Sequence, residues 1–558
     1  TNGTHDHTTL QPGDDLVALA QHNVGSMLTL TQALLQSAQS PTSLWLVTQN
    51  AHAVLDGDGV TGALQATLWG LGRTLTLEHP ELNPVQIDLD GDAQDGRQWA
   101  ALAALMTAPA MTTVHENQLA LRQGQAYVAR LDRADLYPAM ATDRVPVQPQ
   151  ATYLITGGLG AIGLLTAESL VAQGADHLLL VGRSQPRAAA VERLTAWREQ
   201  GVTVTVHQAD VTDRAQMAQV IAAIDPAAPL RGVIHSVGLL DDGVLLQQRW
   251  ARFAPVLAPK LQGAWHLHEL TQGLPLDFFL LFSSAVGLMG NAGQANHAAA
   301  NTFLDAFAHY RRAQGQPALC INWGVWSEVG AAAALAKENQ QALAARGQGV
   351  IAPQQGIAAF AHLLGTTHSQ VAVMPYQWSR FFAEQERDWP FVARFQPQTA
   401  TPSTAENQPV APVNFRKELE ATTGAEQRRL LVHHLRTTIA RVLGLPNPEQ
   451  IAIRQGLTEL GMDSLMAVEL RNHLVKSLAC ALPATLLFDY PTIEALADYI
   501  SEDLQRALGE QNSAAQTQPA AQANGRHDDE MLDDEDLATI DDDELLSLID
   551  DEFASLMQ

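Results

Sequence analysis

A glycine-rich loop could hold the phosphates of a nucleotide. The segment Thr156-Gly157-Gly158-Leu159-Gly160-Ala161-Ile162-Gly163 follows an apolar run and precedes a helical pattern. Glycines in such a loop allow a tight turn and a close approach of the backbone to a pyrophosphate, which rests on the helix N-terminus. The candidate cofactor-binding residues of the loop are Thr156, Gly157, Gly158, Gly160, Ile162 and Gly163.

The ends of the next two apolar runs indicate which nucleotide would bind. Arg183 and Ser184 end the second run, where an NAD enzyme would carry an acidic side chain for the ribose hydroxyl. A guanidinium and a hydroxyl at this position favour a 2′-phosphate, and therefore NADPH. Asp210 and Val211 end the third run, where an adenine ring would lie. We interpret the three strand ends as an NADPH site rather than as ordinary turns and caps.

A serine at the start of an amphipathic helix is a second place for chemistry. Ser464 follows Asp463 and precedes Ala467, Leu470 and Leu474, whose helical spacing predicts one apolar face. A phosphodiester on Ser464 would be exposed, and the helix dipole would favour its charge. Taken alone, an Asp-Ser pair before a helix is also an ordinary N-cap.

The nucleotide residues need a scaffold that brings separate loops to one edge. Short apolar runs alternate with helix-like segments over residues 150–376. The alternation predicts an α/β fold with a Rossmann-like, doubly wound parallel sheet, in which ligands bind beyond the C-terminal strand ends. Residues 15–145 resemble a shorter version of this plan without a glycine loop. We interpret them as a degraded internal duplicate, and an unrelated α/β subdomain is the alternative.

Composition and charge restrict the class of protein. The chain has 558 residues, 46% of them hydrophobic, which predicts three or four domains with sizeable cores. Its net charge of −27 argues against nucleic acid or an anionic membrane as the main partner. The two cysteines offer no disulfide framework, so we expect a cytoplasmic protein, and no metal site is predicted. The polar start without Met predicts a piece of a longer chain.

Polar linkers rich in Pro, Thr, Gln and Ala divide the sequence. The predicted organisation is a linker at 1–14, a structural subdomain at 15–147, a catalytic subdomain at 148–395, a linker at 396–425, a small domain at 426–507, a linker at 508–526 and an acidic segment at 527–558.

The nucleotide loop and the residues after it resemble the short-chain dehydrogenase/reductases, specifically the ketoreductase domains of modular type I polyketide synthases. The resemblance covers residues 15–390. Such ketoreductases place a catalytic serine 13 residues before a catalytic tyrosine, an asparagine four residues after it, and a lysine on an earlier helix. Ser284, Asn301 and Lys260 fit this pattern, whereas His297 occupies the tyrosine position.

The resemblance assigns a role to each of these residues. Ketone reduction leaves an alkoxide, so Ser284 would hold the carbonyl oxygen, Lys260 would assist the acid and orient the ribose, and Asn301 would support the network. Imidazolium can donate a proton, but the ring of His297 is shorter than a phenol and Lys260 would disfavour its protonation. We expect reduction to be abolished or severely slowed. The alternatives are a histidine, or a water it holds, that works as the acid, and an inert side chain.

The loop before these residues carries a stereochemical signature. Leu240, Asp241 and Asp242 match the Leu-Asp-Asp motif of B-type ketoreductases, which implies a D-configured β-hydroxyl product. Met289 stands where A-type relatives carry tryptophan, which supports the same assignment. A turn and helix cap is the alternative for Asp241 and Asp242. Residues 325–355 are expected to form a lid and substrate loop.

Residues 426–507 resemble a polyketide acyl carrier protein. A first helical segment at 426–444 leads through a long loop to Gly461-Met462-Asp463-Ser464, and short helices follow at 482–500. The resemblance implies a small all-α helical bundle with 4′-phosphopantetheine on Ser464, attached by a phosphopantetheinyl transferase.

The acidic segment 527–558 contains apolar residues at helical spacing. By position and composition it resembles a C-terminal docking segment that presents a short helix to a basic partner. A solvated, disordered tail is the alternative. The predicted docking residues are Leu545, Leu548, Ile549, Phe553 and Leu556.

Together the resemblances predict the C-terminal part of a polyketide synthase subunit that is homodimeric within the full synthase. Its partners would be the upstream domains and a downstream subunit reached through the acidic segment. The carrier would hold a β-ketoacyl chain, and the ketoreductase would reduce that chain with NADPH if His297 works. The alternative is a redox-inactive scaffold, structural or epimerising, with carrier and docking functions only.

Overall fold

The computed structural model describes most of the chain up to residue 502. The described residues are 10–37, 43–91, 96–107, 116–134, 147–327, 343–384, 389–397, 415–443, 445, 447–460, 462, 464–478, 480, 482–483 and 486–502. Outside this set lie the predicted docking residues of the acidic segment. Gly461 and Asp463 of the carrier and residues 328–342 of the predicted lid also lie outside it.

The structural subdomain contains a small sheet with helices beside it. Its strands are β1 (Leu44–Gln49), β2 (Pro84–Leu89), β3 (Gln118–Arg122) and β4 (Gln125–Val128), in that spatial order. Its α-helices are α1 (Leu16–Ala20), α2 (Ser26–Gln36), α3 (Ala66–Glu78) and α4 (Gly96–Thr107). The first three strands are parallel and β4 returns antiparallel. The duplication stays a prediction.

All seven predicted apolar runs of the catalytic subdomain form one parallel sheet, which confirms the Rossmann-like fold. The strands are β5 (Thr152–Thr156), β6 (His177–Gly182), β7 (Thr203–Gln208), β8 (Leu230–His235), β9 (Phe278–Ser284), β10 (Leu319–Trp323) and β11 (Gln370–Val373). Their order is β11-β10-β9-β8-β5-β6-β7. The chain therefore changes direction between β5 and β8, where such sheets open a crevice for ligands.

Helices cover both faces of this sheet. They are α5 (Ala161–Ala172), α6 (Ala188–Glu199), α7 (Arg214–Ala222), α8 (Trp250–Leu270), α9 (Ala285–Met289), α10 (Ala295–Ala313), α11 (Pro353–Leu363) and α12 (Trp378–Glu384). Successive side chains of a strand point to opposite faces, and β5 follows this rule. Leu154 packs in one apolar core, whereas Tyr153 and Ile155 pack in the other.

The core that contains Leu154 also joins the two subdomains. Leu71 and Leu75 of α3 lie in the same cluster of buried residues as Phe303 and Phe307 of α10. The two helices approach closely at Gly70, since a Cβ there would lie 2.4 Å from the carbonyl carbon of Ala298. The structural subdomain therefore packs directly against the helix that carries His297.

Replacing Gly70 by alanine is expected to destabilise the fold. The added methyl group meets backbone, which cannot rotate away, so we expect a cost of about 1–3 kcal/mol, typical of overpacking. Thermal unfolding measures the effect. The matched control is Gly59→Ala, where a Cβ would meet nothing within 4 Å. Equal unfolding temperatures for the two variants would contradict the close helix contact.

The small domain is helical, as predicted. Its helices are α13 (Phe415–Glu420), α14 (Gly424–Leu443), α15 (Ser464–Leu478) and α16 (Leu486–Asp489). Leu431 and Leu435 of α14 are buried, as are the predicted apolar residues Ala467, Leu470 and Leu474 of α15. Residues 493–497 are helical and belong to the same compact unit as the described residues before them. Within the described part of the chain, no helix is long and apolar enough to cross a bilayer.

Candidate active site and carrier

The glycine loop has the geometry of a phosphate cradle. Gly157 has a φ of +71°, a left-handed conformation that favours glycine, and its N–H donates to Val181 O at 2.8 Å. A Cβ on Gly163 would lie 2.3 Å from Gly157 O, so only glycine lets α5 approach the loop this closely. Gly160 is the N-cap residue of α5, and Ile162 in its first turn is half-buried.

The predicted residues of the loop and of the neighbouring strand ends differ in exposure. Thr156 is fully buried, and its Oγ1 lies 2.8 Å from His235 Nδ1, so its side chain faces the sheet interior. Arg183 and Ser184 are exposed beyond β6, at the edge of the sheet where a nucleotide would lie. A guanidinium and a hydroxyl are thus accessible at that edge.

The third strand end is shaped by its own hydrogen bonds. Asp210 accepts from the backbone N–H of Thr212 at 2.9 Å and from its hydroxyl at 2.8 Å. Val211 is buried against α8, where a Cβ on Gly263 would lie 2.9 Å from Val211 Cγ2. Asp210 orders the turn, and Val211 forms an apolar wall beside it.

Lys260 is held inside the protein by α8. Its side chain is 4% exposed, and its Nζ donates to Phe282 O at 2.9 Å, two residues before Ser284. Burial lowers the pKa of Lys260 to about 8, although neighbouring Cys320 and Asp305 act in the opposite direction. The ammonium is therefore fixed next to the end of β9.

His297 lies in the first turn of α10 and cannot readily carry a proton there. Burial, and then the charge of Lys260, lower the pKa of His297 to about 3. The sequence predicted that Lys260 would lower the pKa of His297, but burial lowers it more. Its Nδ1 is buried and has no hydrogen-bond partner among the described residues. An imidazolium must donate from both ring nitrogens, so this environment favours the neutral ring.

Asn301 is bonded to His297, and Ser284 ends β9. Ser284 Oγ accepts from Val286 N at 3.3 Å and caps the short helix α9. Asn301 Nδ2 donates to His297 O at 2.7 Å, whereas Asn301 Oδ1 is buried without a partner among the residues described. Lys260 bonds to Phe282 O, and Ser283 Oγ donates to Asn301 O at 3.3 Å, so the end of β9 that carries Ser284 contacts both Lys260 and Asn301. The catalytic roles of these residues stay predictions.

The Leu-Asp-Asp loop is bonded to the start of α10. Asp242 accepts from Gln294 Nε2 at 2.8 Å, and Asp241 O accepts from Asn296 Nδ2 at 2.8 Å. Asp241 pairs with Arg252 Nε at 2.9 Å and caps no described helix, so the helix-cap alternative is not what the structure shows. Leu240 is 39% exposed. The loop and the segment around His297 are thus one bonded unit.

Glu78 is a site residue that the sequence analysis missed. This last residue of α3 is fully buried, and its carboxylate accepts from Leu245 N and from Gly293 N, both at 2.7 Å. Burial raises the pKa of Glu78, although both hydrogen bonds oppose the shift. One acid thereby fixes the loop after Asp242 and the loop before His297. The available signal was the one acidic residue of a helix whose only other charged residue is Arg73.

The predicted attachment residue begins a carrier helix. The backbone of α15 starts at Ser464, as the sequence predicted. Met462, two residues earlier, is 6% exposed and anchors the preceding loop in the carrier core. The end of the loop is thereby fixed to the bundle.

Three family models match successive parts of the chain. A KR domain matches residues 151–328, and a phosphopantetheine attachment site matches residues 433–500. The Rossmann fold domain of the polyketide synthase extender module SpnB matches residues 3–131. The matches follow the order structural subdomain, catalytic subdomain and carrier.

The chain is similar to known polyketide synthase proteins and to solved ketoreductases. Polyketide synthase GfsB of Streptomyces halstedii is 37% identical over 86% of this chain, which spans 8% of that protein. The pikromycin polyketide synthase component PikAIII of Streptomyces venezuelae is 37% identical over 82% of this chain, which spans 30% of it. A solved A1-type ketoreductase is 33% identical and superposes with a TM-score of 0.62, covering 68% of this chain and 80% of its own.

Proposed function

Because this chain belongs to the ketoreductases of modular polyketide synthases and carries one of their carrier domains, we propose that it holds a β-ketoacyl chain and leaves the ketone unreduced. The observation that carries the proposal is the environment of His297, a half-buried residue whose pKa is lowered to about 3 and whose Nδ1 is buried without a partner among the described residues. By resemblance, His297 occupies the position of the proton donor. The test compares reduction of a β-ketoacyl thioester by the parent chain and by the His297→Tyr variant.

The missing step is proton transfer. Reduction turns a carbonyl into an alkoxide, and a general acid must give that oxygen a proton from a fixed position. With a pKa of about 3, the imidazole of His297 is uncharged at pH 7 and has no acidic proton to give. Lys260 Nζ donates one of its hydrogen bonds to Phe282 O, which holds the ammonium at the end of β9. Ser284 can still donate a hydrogen bond to the carbonyl, which orients the substrate without protonating it.

The nucleotide site fits NADPH, which would supply hydride when bound. The glycine loop has the close backbone contacts that a Cβ would block at Gly157, Gly158 and Gly163. Arg183 and Ser184 lie exposed at the position for a 2′-phosphate. We therefore infer that the domain binds NADPH and keeps the scaffold of an active reductase.

Replacing Arg183 by glutamate is expected to weaken NADPH binding by about tenfold or more, since a charge-assisted contact is lost and repulsion replaces it. NADH, which lacks the 2′-phosphate, should lose less affinity. Nucleotide fluorescence titration measures both without turnover. Arg187→Glu is the matched control, because Arg187 is also exposed on this edge but precedes α6. Equal losses for NADPH and NADH would contradict the role of Arg183.

The stereochemical assignment is also part of the proposal. If the acid is restored, the Leu240-Asp241-Asp242 loop supports a B-type, D-configured product. This loop is bonded to Gln294 and Asn296 and therefore lies beside His297.

The carrier completes the proposed function. A phosphopantetheinyl transferase would load 4′-phosphopantetheine onto Ser464, and the arm would carry the β-ketoacyl thioester. The further partners would be the other domains of a homodimeric synthase and a downstream subunit that binds the apolar residues of the acidic segment. An epimerising role for the domain is the second candidate, and the retained Lys260–Ser284 environment supports it because enolisation needs oriented polar groups but no hydride.

A further inference from the structure

The C-terminal end of α3 forms part of the wall around the candidate active site. Glu78 holds Leu245 N and Gly293 N, and these two residues belong to the loops beside Asp242 and His297. The two loops also bond to each other, since Gly243 N donates to Gly293 O at 2.7 Å. This end of the structural subdomain therefore lies at the rim of the site.

The residues on either side of Glu78 contact the carrier. Leu77 O accepts from Asn472 Nδ2 at 3.1 Å. The carboxylate of Glu81 accepts from Arg471 Nη2 at 2.8 Å and from Arg471 Nη1 at 3.4 Å. Arg471 is 6% exposed in its side chain and also donates to Leu482 O within the carrier, which fixes the direction of its guanidinium.

Glu81 is ionised in this contact. Burial acts to raise its pKa, but hydrogen bonds from His79 and Arg471, together with the charge of Arg471, lower the pKa of Glu81 to about 2. The pair with Arg471 is therefore a charged one at neutral pH. Because Glu81 is half-buried and Arg471 is buried, water and salt screen this ion pair less than they screen an exposed surface pair.

A second ion pair connects the carrier to the catalytic subdomain. Arg346 Nη2 lies 2.6 and 2.8 Å from the two carboxylate oxygens of Glu469. Arg346 belongs to the C-terminal part of the predicted lid segment, and Glu469 lies in α15 two residues before Arg471. The carrier helix is thus held from both subdomains.

From these contacts we infer that the structural subdomain, together with Arg346, is the docking surface for the carrier of the same chain. We call this surface the carrier seat; it consists of Leu77, Glu81 and Arg346. The carrier seat binds α15 close to the attachment residue. Glu469 lies five residues after Ser464, which is about 7.5 Å along the helix axis. Among the described residues, this contact contains two ion pairs and one hydrogen bond, all polar, which suits a carrier that must leave for other domains.

The seat gives the structural subdomain a role besides support. The end of α3 contacts the loops beside Asp242 and His297 through Glu78 and the carrier through Leu77. Glu81, in the short turn Pro80–Leu82 that follows α3, adds the second contact with the carrier. The role is independent of the chemistry at His297, because none of the seat residues belongs to the catalytic cluster. A failure of the proposed function would therefore leave the seat unaffected.

Zero-length cross-linking tests the seat in the full chain. The chain has only four lysines, Lys260, Lys337, Lys417 and Lys476, so background coupling is low. In Arg346→Lys, a water-soluble carbodiimide should join the new amine to Glu469, and peptide mass spectrometry should identify the pair. The matched control is Arg380→Lys, since Arg380 lies near the same segment and donates to Ala345 O. It should give no link to α15.

Reversing the other ion pair tests whether the contacts act together. Adding Glu81→Arg to Arg346→Lys should lower the yield of the link between position 346 and Glu469 several-fold, because Arg471 then meets a like charge. Mixing ¹⁵N-labelled and unlabelled protein shows whether the link forms within one chain. Three outcomes would each overturn the carrier seat. The first is a cross-link yield that Glu81→Arg does not change, and the second is a link found only between chains. The third is the absence of the link while amide exchange shows that α14 and α15 are folded.

Discussion

Replacing His297 by tyrosine is expected to switch on NADPH-dependent reduction of a β-ketoacyl thioester, with a gain of about 10²-fold or more over the parent chain. A positioned general acid contributes about 10²–10⁴-fold, and the lowered pKa of His297 is the reason to expect that the parent lacks one. Lys260 lies beside this position and, with a pKa of about 8, remains largely charged at neutral pH, which favours a phenolate. NADPH absorbance, with mass spectrometry of the hydroxyacyl product, measures the gain.

The control for this substitution is His297→Phe, which has a ring of similar shape but no hydroxyl. It should stay as inactive as the parent, so that a gain with tyrosine is assigned to the proton. If the parent already reduces the thioester at a rate near that of the tyrosine variant, then histidine or a water it holds is a working acid, and the proposed function is wrong.

Replacing Ser464 by alanine is expected to abolish loading of the carrier. A phosphopantetheinyl transferase with coenzyme A should add one phosphopantetheine to the parent and none to the variant, as intact-protein mass spectrometry would show. The physical reason is that attachment needs a hydroxyl at the start of α15, where the helix dipole favours the phosphodiester.

A serine in the same helix provides the control for loading. Ser477 lies in the last turn of α15, and its Oγ is 2.8 Å from His434 Nε2. Ser477→Ala should leave loading complete. Full loading of Ser464→Ala would show that another residue carries the arm.

The fold was predictable because buried parallel strands are continuous apolar runs. The segments around Tyr153, Leu179 and Leu280 are apolar on both faces of the sheet, and each run became a strand in the structure. The carrier was predictable for a similar reason, since Leu470 and Leu474 recur at helical spacing and are buried.

The contacts that shape the site were not predictable from sequence. Glu78 bonds to Gly293 across more than two hundred residues, and no local pattern announces such a pair. The effect of Lys260 on His297 followed from the family arrangement, but the larger effect of burial depends on the packing of α10. The pairing of Arg471 with Glu81 likewise depends on two domains meeting.

The core shared by α3 and α10 determines which piece of this chain can be transplanted into another synthase. Leu71 and Leu75 belong to one subdomain and Phe303 and Phe307 to the other, yet all four exclude water from the same interior. A hybrid that exchanges only the catalytic subdomain would join two surfaces that did not evolve together, and mismatched volumes in a close-packed interior are destabilising. The exchangeable module is therefore the pair of subdomains, with its junctions in the segments that flank them.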